Sequence, residues 1–459
     1  MIKIKLPKYI NEILEILNSN NYEAYLVGGC VRDHFLNRKI NDYDITTSAK
    51  PEESIAIFSS LNYKVLTTGI KHGTITVIKD YKSVEITTYR IDGQYLNNRS
   101  PSYIKYTDSL KLDLKRRDFT INALAYHPKT GVIDYYNGLE DLKNHVIRAI
   151  DNPTVRFNED ALRILRCIRF SLQLDFTIDL NTSIGIQNTY YLLKNISMER
   201  IQDEFNKILC SDKDDILILL RRYHILELLI PEFETTYEYN QNTKWHNYDL
   251  FNHVNIALNN TKGQSLIVKL SVLLHDLGKP STRVTDDRNV SHYGGHAIKG
   301  AIIANDILRN FRYSNELRKQ VITIIKYHDN YLSVDRRPLR KLLASVNNDF
   351  DTCNKILQVQ IADNKAKNIL LVNDKINDLH HSVRLLNEMY KDDDYYYLKD
   401  LAITGSELTS FGIENNNITN TLIYLYNQVL HNPGYNTYER LISLVILKQG
   451  HTNKKISNN

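Results

Sequence analysis

The hydrophobic pattern of this chain changes from strand-like to helix-like near Pro153. Before that residue, a helical pattern at 8–18 and another at 52–59 are interspersed with strand-like runs at 22–27, 42–46, 63–67, 74–78 and 84–88. After it, apolar residues recur at helical spacing and strand signals are scarce. Because these two periodicities are typical of strands and helices, we predict an α/β N-terminal region, with a mixed sheet and helices, followed by an all-α remainder.

Interruptions of these patterns predict the domain boundaries. The chain has 459 residues, enough for two to four domains of roughly 100–200 residues each. The helical pattern stops near Pro231, where a polar stretch follows, and near Lys391, where three aspartates follow. With the change near Pro153, these interruptions predict domains at residues 1–145, 146–225, 226–390 and 391–459.

Composition argues against several classes of protein. Lysine and arginine exceed aspartate and glutamate by only five, so net charge does not identify a nucleic-acid partner. The basic clusters at 111–117 and 163–169 could neutralise phosphates or could be solvated surface. An apolar run of about 18 residues and an apolar signal-peptide core are both missing from the sequence, so we expect no membrane partner. The four cysteines form no CxxC pair, which argues against a zinc ribbon and favours a reducing cytoplasm.

A glycine pair stands between a predicted strand and a predicted helix in LVGGCVRD (26–33). Gly28 and Gly29 would let the backbone approach a phosphate closely, and the following helix would add N–H donors. Arg32 could then clamp a phosphate oxygen. A plain tight turn explains the glycines equally well.

Three acids are the candidate metal ligands of the N-terminal region. Asp42 and Asp44 are two residues apart, so on a strand they project to the same face. Glu85 alternates with apolar neighbours on a later strand and would face the same open side. Three carboxylates of this kind suit a pair of Mg²⁺ ions and phosphoryl transfer. The alternative is a set of solvent-facing acids at a strand end.

Charged residues recur every three positions after Pro153. Asp160, Arg163, Arg166 and Arg169 fall in EDALRILRCIRF (159–170), and we expect them near one face of a single helix. The alternative is an amphipathic helix whose arginines pair with Glu159 and Asp160.

Five motifs occur together and in order. They are LVGGCVRD, DYD (42–44), LKRRDFTINALA (114–125), EDALRILRCIRF and MERIQDEF (198–205). With these motifs the chain resembles the class II CCA-adding tRNA nucleotidyltransferases of the DNA polymerase β superfamily. The resemblance implies an enzyme that adds or repairs the 3′ CCA end of tRNA without a template. Its partners would be CTP, ATP and the tRNA acceptor end, and its cofactor Mg²⁺.

The resemblance also implies roles for particular residues. Asp42, Asp44 and Glu85 would be catalytic, with Mg²⁺ on the two aspartates. Asp160 and Arg163 would recognise the incoming base in place of a template. The remaining nucleotide contacts would come from Gly28, Gly29, Arg32, Arg117, Asp118, Arg166 and Arg169.

The polar segment 90–110 resembles the flexible loop that this family needs to change from C to A addition. We expect it to be loop-like, and its full length favours a complete CCA enzyme. The family often carries two arginines before the proline, whereas this chain has Asn98-Arg99-Ser100-Pro101. The change of specificity could therefore differ in detail.

The C-terminal half resembles an HD domain, a helical fold that binds one or two divalent metals. His275 and Asp276 stand within LLHDLGKP, and the implied ligands are His253, His275, Asp276, His296, His328 and Asp363. The resemblance implies that these side chains converge on an ion such as Mn, Ni or Fe, whose bound water attacks a phosphoester. The alternative is a degenerate domain kept for structure or for tRNA contact.

Several other functions stay open at this stage. A bacterial poly(A) polymerase would share the N-terminal regions, and a CC-adding enzyme would share them too. An RNA-binding protein with an inactive head is disfavoured by the presence of Asp42, Asp44 and Glu85. Phosphohydrolysis at the HD site could be a side activity or the main one.

Overall fold

The structure is a computed structural model and describes residues 4–93, 95–96, 98, 100–330 and 334–456. The chain forms two compact units, Met1–Pro231 and Glu232–Asn459. Each unit contains its own set of fully buried aliphatic and aromatic side chains. The division into four domains, with its finer boundaries, stays a prediction.

The first unit contains a seven-stranded mixed sheet. The strands of the whole first unit, inside and outside this sheet, are β1 (Ala24–Val27), β2 (Asp44–Thr47), β3 (Lys64–Leu66), β4 (Thr74–Lys79), β5 (Lys82–Thr88), β6 (Arg90–Asp92), β7 (Tyr95–Leu96), β8 (Ser100–Pro101), β9 (Ile104–Tyr106), β10 (Leu124–His127), β11 (Gly131–Asp134), β12 (Val146–Ile147) and β13 (Thr177–Ile178). The order across the main sheet is β11-β10-β1-β2-β5-β4-β3. Only the β2–β5 pair in it is parallel among the described strands, so the prediction of a mixed sheet is confirmed.

All five predicted strand-like runs correspond to β1–β5, but β10 and β11 were not predicted. Every residue of β10 is buried, so this strand lacks the alternation of apolar and polar residues on which the prediction depends.

Eleven α-helices accompany these strands in the described part of the first unit. They are α1 (Lys8–Ser19), α2 (Gly29–Phe35), α3 (Pro51–Ser60), α4 (Leu110–Lys115), α5 (Gly138–Lys143), α6 (Pro153–Glu159), α7 (Leu162–Leu174), α8 (Leu180–Thr189), α9 (Met198–Leu209), α10 (Ile216–Arg222) and α11 (Ile225–Leu229). The predicted N-terminal helix is α1, and it buries Ile10, Ile13, Leu14 and Leu17. The spacing of these four residues places them on one face of the helix.

The expectation that Asp160 shares a helix with the three arginines is wrong. Helix α6 ends at Glu159, Asp160 is in an extended conformation, and α7 begins at Leu162. The Asp160 side chain accepts a hydrogen bond from the backbone N–H of Leu162 at 3.2 Å. Aspartate often satisfies free N–H groups at a helix start in this way, and here it separates two helices that the sequence pattern joined.

The polar segment 90–110 is more structured than the expected loop. Strand β6 pairs with β9 and strand β7 pairs with β8, both antiparallel. The backbone C=O of Asn98 accepts a hydrogen bond from the N–H of Ala161 at 3.1 Å, so this segment contacts the start of α7. Arg99, part of the departure from the family pattern, lies outside the described residues.

The second unit is helical, as predicted. Its helices are α12 (Leu250–Asn259), α13 (Leu266–Leu274), α14 (Lys279–Thr282), α15 (His296–Asn310), α16 (Asn315–Tyr327), α17 (Arg336–Ser345), α18 (Phe350–Lys365), α19 (Ile369–Lys391), α20 (Gly405–Ser410), α21 (Asn415–His431) and α22 (Tyr438–Ile456). A short hairpin of β14 (Val284–Thr285) and β15 (Ser291–His292) is the exception. Among the described residues, none of the helices has both the length and the apolar character needed to span a membrane.

Candidate functional sites

The glycine pair forms a tight corner between β1 and α2. Gly28 has a φ of 76°, a left-handed conformation that glycine adopts without strain. A Cβ atom added at Gly28 would lie 3.2 Å from a guanidinium nitrogen of Arg117. Both the conformation and the close approach of Arg117 therefore favour glycine at this position.

The three predicted acids lie on neighbouring parts of the sheet. Asp44 begins β2 and is the register partner of Glu85 on β5, while Asp42 precedes the strand. Parallel register partners project to the same face of a sheet. Burial raises the pKa of Asp44; Arg117 opposes this effect, and the negative charges of Glu85 and Asp42 add to it.

This mutual repulsion shows that the acids fit a bound cation. Asp42, Asp44 and Glu85 each keep surface that solvent can reach, although the surrounding protein partly desolvates the Asp44 carboxylate, so an ion can reach all three. Carboxylate oxygens are the ligands that Mg²⁺ prefers. A divalent ion would remove the repulsion that raises the pKa of Asp44.

A hydrogen-bonded chain connects α2 with α7. Arg32 donates to Asn122 at 2.7 Å, and the amide of Asn122 donates to Asp118 at 3.0 Å. Arg166 on α7 donates to the other carboxylate oxygen of Asp118 at 2.8 Å. Burial alone would raise the pKa of Asp118, but Arg166 and Asn122 outweigh it and hold this pKa well below its usual range.

The two residues expected to read the base are both engaged with other side chains. Arg163 donates to Glu159 at 2.7 Å and to the backbone C=O of Arg116 at 2.7 Å. Asp160 accepts two hydrogen bonds from Arg200, at 2.8 and 3.2 Å. The sequence analysis gave the pairing of an arginine with Glu159 as the alternative to base recognition. It did not predict Arg200 as the partner of Asp160.

Phe170 lies among three of the arginines. The guanidinium carbons of Arg169, Arg32 and Arg166 lie 4.1, 4.9 and 5.4 Å from its ring centroid. Arg169 also forms an ion pair with Glu204 at 2.6 Å. The sequence analysis did not single out Phe170, because helical spacing cannot distinguish a core ring from one that supports cations.

These residues line one cavity of about 870 Å³. Its lining comprises Gly28, Gly29, Cys30, Arg32, Asp33, Asn41, Asp42, Asp44, Arg116, Arg117, Asp118, Asn122, Asp160, Leu162, Arg163, Arg166, Arg169, Phe170, Arg200 and Lys207. Every residue predicted from the sequence for this site is present except Glu85, which lies beside Asp44 on β5. Eight arginine or lysine side chains against five aspartates make the cavity suitable for a polyanion.

The predicted ligands of the second site converge in the other unit. His253, His275, Asp276 and Asp363 form one group of possible ligand atoms, and Asp276, His296 and His328 form a second. Asp276 belongs to both groups. One of its oxygens lies 3.2 Å from His275 Nε2, and the other lies 3.6 Å from His296 Nε2.

The hydrogen bonds of the four histidines prepare this cluster for metal. Their Nδ1 atoms face the backbone oxygens of Ala366, Val272, Tyr293 and Ile325, at 3.3, 2.7, 2.8 and 2.6 Å respectively. A carbonyl oxygen can only accept, so each Nδ1 carries the proton and each Nε2 can offer a lone pair to the centre. All six predicted ligand side chains are buried, as expected for a built metal site rather than for surface residues.

Two lysines that were not predicted contact the carboxylates of this cluster. Lys279 lies 2.7 Å from Asp276, and Lys367 lies 2.6 Å from Asp363. Both lysines line a cavity of about 1060 Å³ that opens onto the cluster. Lys279 is part of the LGKP sequence and could have been predicted from it. Lys367 follows Asp363 by one helical turn, and no motif in the sequence indicates its role.

The remaining histidines of this region are not part of the ligand groups. His246 packs edge-on against His253 with ring centroids 4.7 Å apart. Burial lowers the pKa of His246 to about 2, so it is neutral at physiological pH. His292 lies at the cavity wall and forms an ion pair with Asp286 at 2.8 Å.

Comparisons with known protein families match three regions of the chain. Residues 24–148 match the Poly A polymerase head domain. Residues 175–236 match the family described as "Probable RNA and SrmB- binding site of polymerase A". Residues 249–365 match the HD domain.

Curated relatives match part of the chain. A CCA-adding enzyme of Lactobacillus helveticus is 48% identical over 212 residues, which is 45% of this chain and 52% of that protein. A CCA-adding enzyme of Lactobacillus gasseri is 50% identical over 196 residues, 43% of this chain and 48% of that protein. The chain thus spans about half the length of the curated relatives it matches.

Solved structures match almost the whole chain in fold. The CCA-adding enzyme of Bacillus stearothermophilus in complex with CTP has a TM-score of 0.68 at 22% identity and covers 98% of this chain and 100% of that one. The Thermotoga maritima CCA-adding enzyme complexed with tRNA has a TM-score of 0.59 at 21% identity and covers 96% of each chain.

The fold and the matched regions define a protein with a polymerase-type head, an RNA-binding region and an HD domain. The resemblance to the CCA-adding enzymes is confirmed, in sequence over 45% of the chain and in fold over nearly all of it.

Proposed function

We propose that this chain is a nucleotidyltransferase that adds or repairs the 3′ CCA end of tRNA from CTP and ATP. One observation carries the proposal. A single polar cavity contains a glycine corner, Asp44 at the start of β2 with Asp42 just before it and a third acid beside it, and the residues at the start of α7. Relatives named CCA-adding enzymes support the choice of reaction.

The acids and the glycine corner would act on the phosphates. Asp42 and Asp44, with Glu85 adjacent, would hold Mg²⁺, which when bound would polarise the phosphate that receives the tRNA 3′ hydroxyl. Gly28, Gly29 and Arg32 would hold the triphosphate, whose pyrophosphate leaves as the new phosphodiester bond forms.

Asp118, Asp160 and Arg163 would select the nucleotide. Asp118 would accept a hydrogen bond from a ribose hydroxyl in exchange for one of its present contacts with Phe119, Asn122 and Arg166. Asp160 and Arg163 would exchange Arg200 and Glu159 for the edge of cytosine or adenine. Arginine donates and aspartate accepts, so together they can complement either base.

The partner would be the acceptor end of tRNA, bound mainly through shape and phosphate contacts, with an affinity that falls as salt rises. The unbridged cysteines Cys30, Cys167, Cys210 and Cys353 support a reducing cytoplasm as the compartment.

The function can be tested with tRNA transcripts that end before CCA and labelled CTP and ATP, supplied singly and together. We expect CTP alone to add cytidines, and both nucleotides to complete the end. Addition of cytidine only would indicate a CC-adding enzyme, and a long adenosine tract on unrelated RNA would indicate a poly(A) polymerase. Unchanged CTP incorporation by Asp42→Ala would show that the head is not catalytic.

For the second unit we propose phosphoester hydrolysis at the HD site with a divalent metal such as Mn, Ni or Fe. The support is the convergence of four Nε2 atoms on Asp276 and Asp363. The test measures the metal content and the rate of p-nitrophenyl phosphate hydrolysis of the purified protein and of two variants. His275→Ala should lose both, and His292→Ala, the matched control, should keep both. Equal metal content and hydrolysis in both variants would contradict this assignment. Loss of cellular function in His275→Ala but not in head variants would make hydrolysis the main activity.

A further inference from the structure

A buried aspartate that the sequence did not single out connects several parts of the first site. Asp113 lies on α4 and its side chain has no exposed surface. Burying a carboxylate away from water destabilises the fold unless its oxygens accept hydrogen bonds. The donors that surround Asp113 therefore indicate its role.

The carboxylate of Asp113 accepts hydrogen bonds from three elements. Thr46 Oγ1 on β2 donates at 3.0 Å, the backbone N–H of Arg90 donates at 3.3 Å, and Arg116 Nε donates at 2.9 Å. A guanidinium nitrogen of Arg117 lies 3.8 Å away. Asp113 thus ties the strand of the acids, the base of the 90–106 segment and the two arginines together.

Two of these partners are directly connected to the acids. Thr46 follows Asp44 by two residues on β2, so both side chains lie on the same face of the strand. Arg117 packs against Gly28 and interacts electrostatically with both Asp113 and Asp44. Its Nε atom has no hydrogen-bond partner. Arg117 therefore interacts with three acids: Asp113, which does not line the cavity, and Asp44 and Asp118, which do.

We propose that Asp113 is a positioning residue that holds Arg117 back from Asp44. This inference rests on the proposed nucleotidyl transfer. When Asp113 is present, its negative charge attracts the guanidinium of Arg117, and Asp44 stays available to the divalent cation. Without that charge, Asp44 and Asp118 are the acids left to Arg117. Asp118 is already held by Arg166, so the guanidinium competes with the cation for Asp44.

The test is the Mg²⁺ concentration needed for half-maximal CTP incorporation. Asp113→Asn keeps the size of the side chain but removes its charge, and we expect this requirement to rise about tenfold, as for other groups that orient metal ligands. Asp141→Asn is the matched control. Asp141 is also a buried head acid with threonine and arginine partners, but it does not line the cavity, so its variant should keep the wild-type requirement.

A double variant separates positioning from general structural damage. Removing the guanidinium with Arg117→Gln should abolish the effect of Asp113→Asn, so that the double variant has the Mg²⁺ requirement of Arg117→Gln alone. If Asp113→Asn does not fold, Thr46→Val carries the test, with an expected rise of about threefold because only one of the hydrogen bonds is lost.

The outcomes distinguish the two proposals. Wild-type protein that fails to incorporate CTP into tRNA would overturn the proposed function and this inference with it. Active wild-type protein whose Mg²⁺ requirement is unchanged in Asp113→Asn, or in Thr46→Val where only that variant folds, would overturn the inference alone.

Discussion

Asp44 and Glu85 are register partners in the only parallel strand pair of the main sheet, within the part of the chain that the structure describes. This pairing brings together two acids that are 41 positions apart in the sequence. Their charges repel, and the repulsion raises the pKa of Asp44 beyond the effect of burial. The negative charges of these acids therefore destabilise one another, and a bound cation would relieve this repulsion.

The first prediction concerns the cost of this repulsion. A carboxylate whose pKa is raised in the folded state destabilises the fold at pH values above that pKa. Asp44→Asn should therefore have an equal or higher melting temperature at pH 7 without metal, while CTP incorporation falls about 100-fold or more. Lowering the pH through the raised pKa should reduce the difference in melting temperature. A clear fall in melting temperature at pH 7 would contradict this view of the acids.

The second prediction concerns the ion pair between Asp118 and Arg166. The pKa of Asp118 is depressed, so its contribution to stability is present above its unfolded pKa of about 3.9 and is lost as the pH falls below it. Arg166→Ala leaves a buried carboxylate without its main partner. We expect it to lower the free energy of unfolding by about 2–4 kcal/mol and to raise the KM for both nucleotides. The measurements are urea unfolding at pH 7 and at pH 3.5, where the difference between variant and wild type should shrink. Equal differences at both pH values would contradict it.

The third prediction concerns the ring that supports three arginines. Phe170→Leu keeps an apolar side chain but loses the π-face beneath Arg32, Arg166 and Arg169, so the KM for CTP and ATP should rise about fivefold. Phe58→Leu is the control, since Phe58 is a fully buried ring that packs on Tyr63. Both variants should lose about 1 kcal/mol of stability, and only the first should change the KM. Similar KM values in the two variants would reject this role.

The fourth prediction concerns Gly278, which follows the HD dipeptide by two residues. A Cβ atom at Gly278 would lie 2.2 Å from the backbone oxygen of His296 and 2.6 Å from the backbone N of Gly300. Gly278→Ala should therefore displace α15, which carries His296, and reduce bound metal to near zero. Gly294→Ala is the matched control, because a Cβ there meets nothing within 4 Å. Metal content per chain, measured after purification in Mn²⁺, gives the result, and full occupancy in Gly278→Ala would refute it.

Much of the head could be predicted from local pattern. The spacing of Asp42 and Asp44 and the glycine pair were sufficient to predict a glycine corner close to two acids, all of which line one cavity, although Asp42 precedes the strand on which it was expected. Their binding of phosphate stays a prediction. Helical spacing likewise identified the buried face of α1. These features depend on residues close in the sequence, where the period of the backbone determines which side chains share a face.

The contacts that determine how the site is held together were not predictable in this way. Arg200 meets Asp160 across 40 positions, and Thr46 meets Asp113 across 67. The break at Asp160 was missed because a capping aspartate and a helical one give the same spacing of charges. Such pairs depend on how elements pack, which periodicity does not encode.

The central claim is that one cavity, lined by Asp42, Asp44, Asp160 and Arg163 and with Glu85 beside Asp44, builds a defined trinucleotide end. Sequencing the 3′ ends that the protein produces on tRNA lacking CCA, with CTP and ATP both present, tests it most directly. The account predicts ends that stop at CCA in the wild type and unextended ends in Asp44→Asn. Ends of variable length or sequence, or extension that persists in Asp44→Asn, would contradict it.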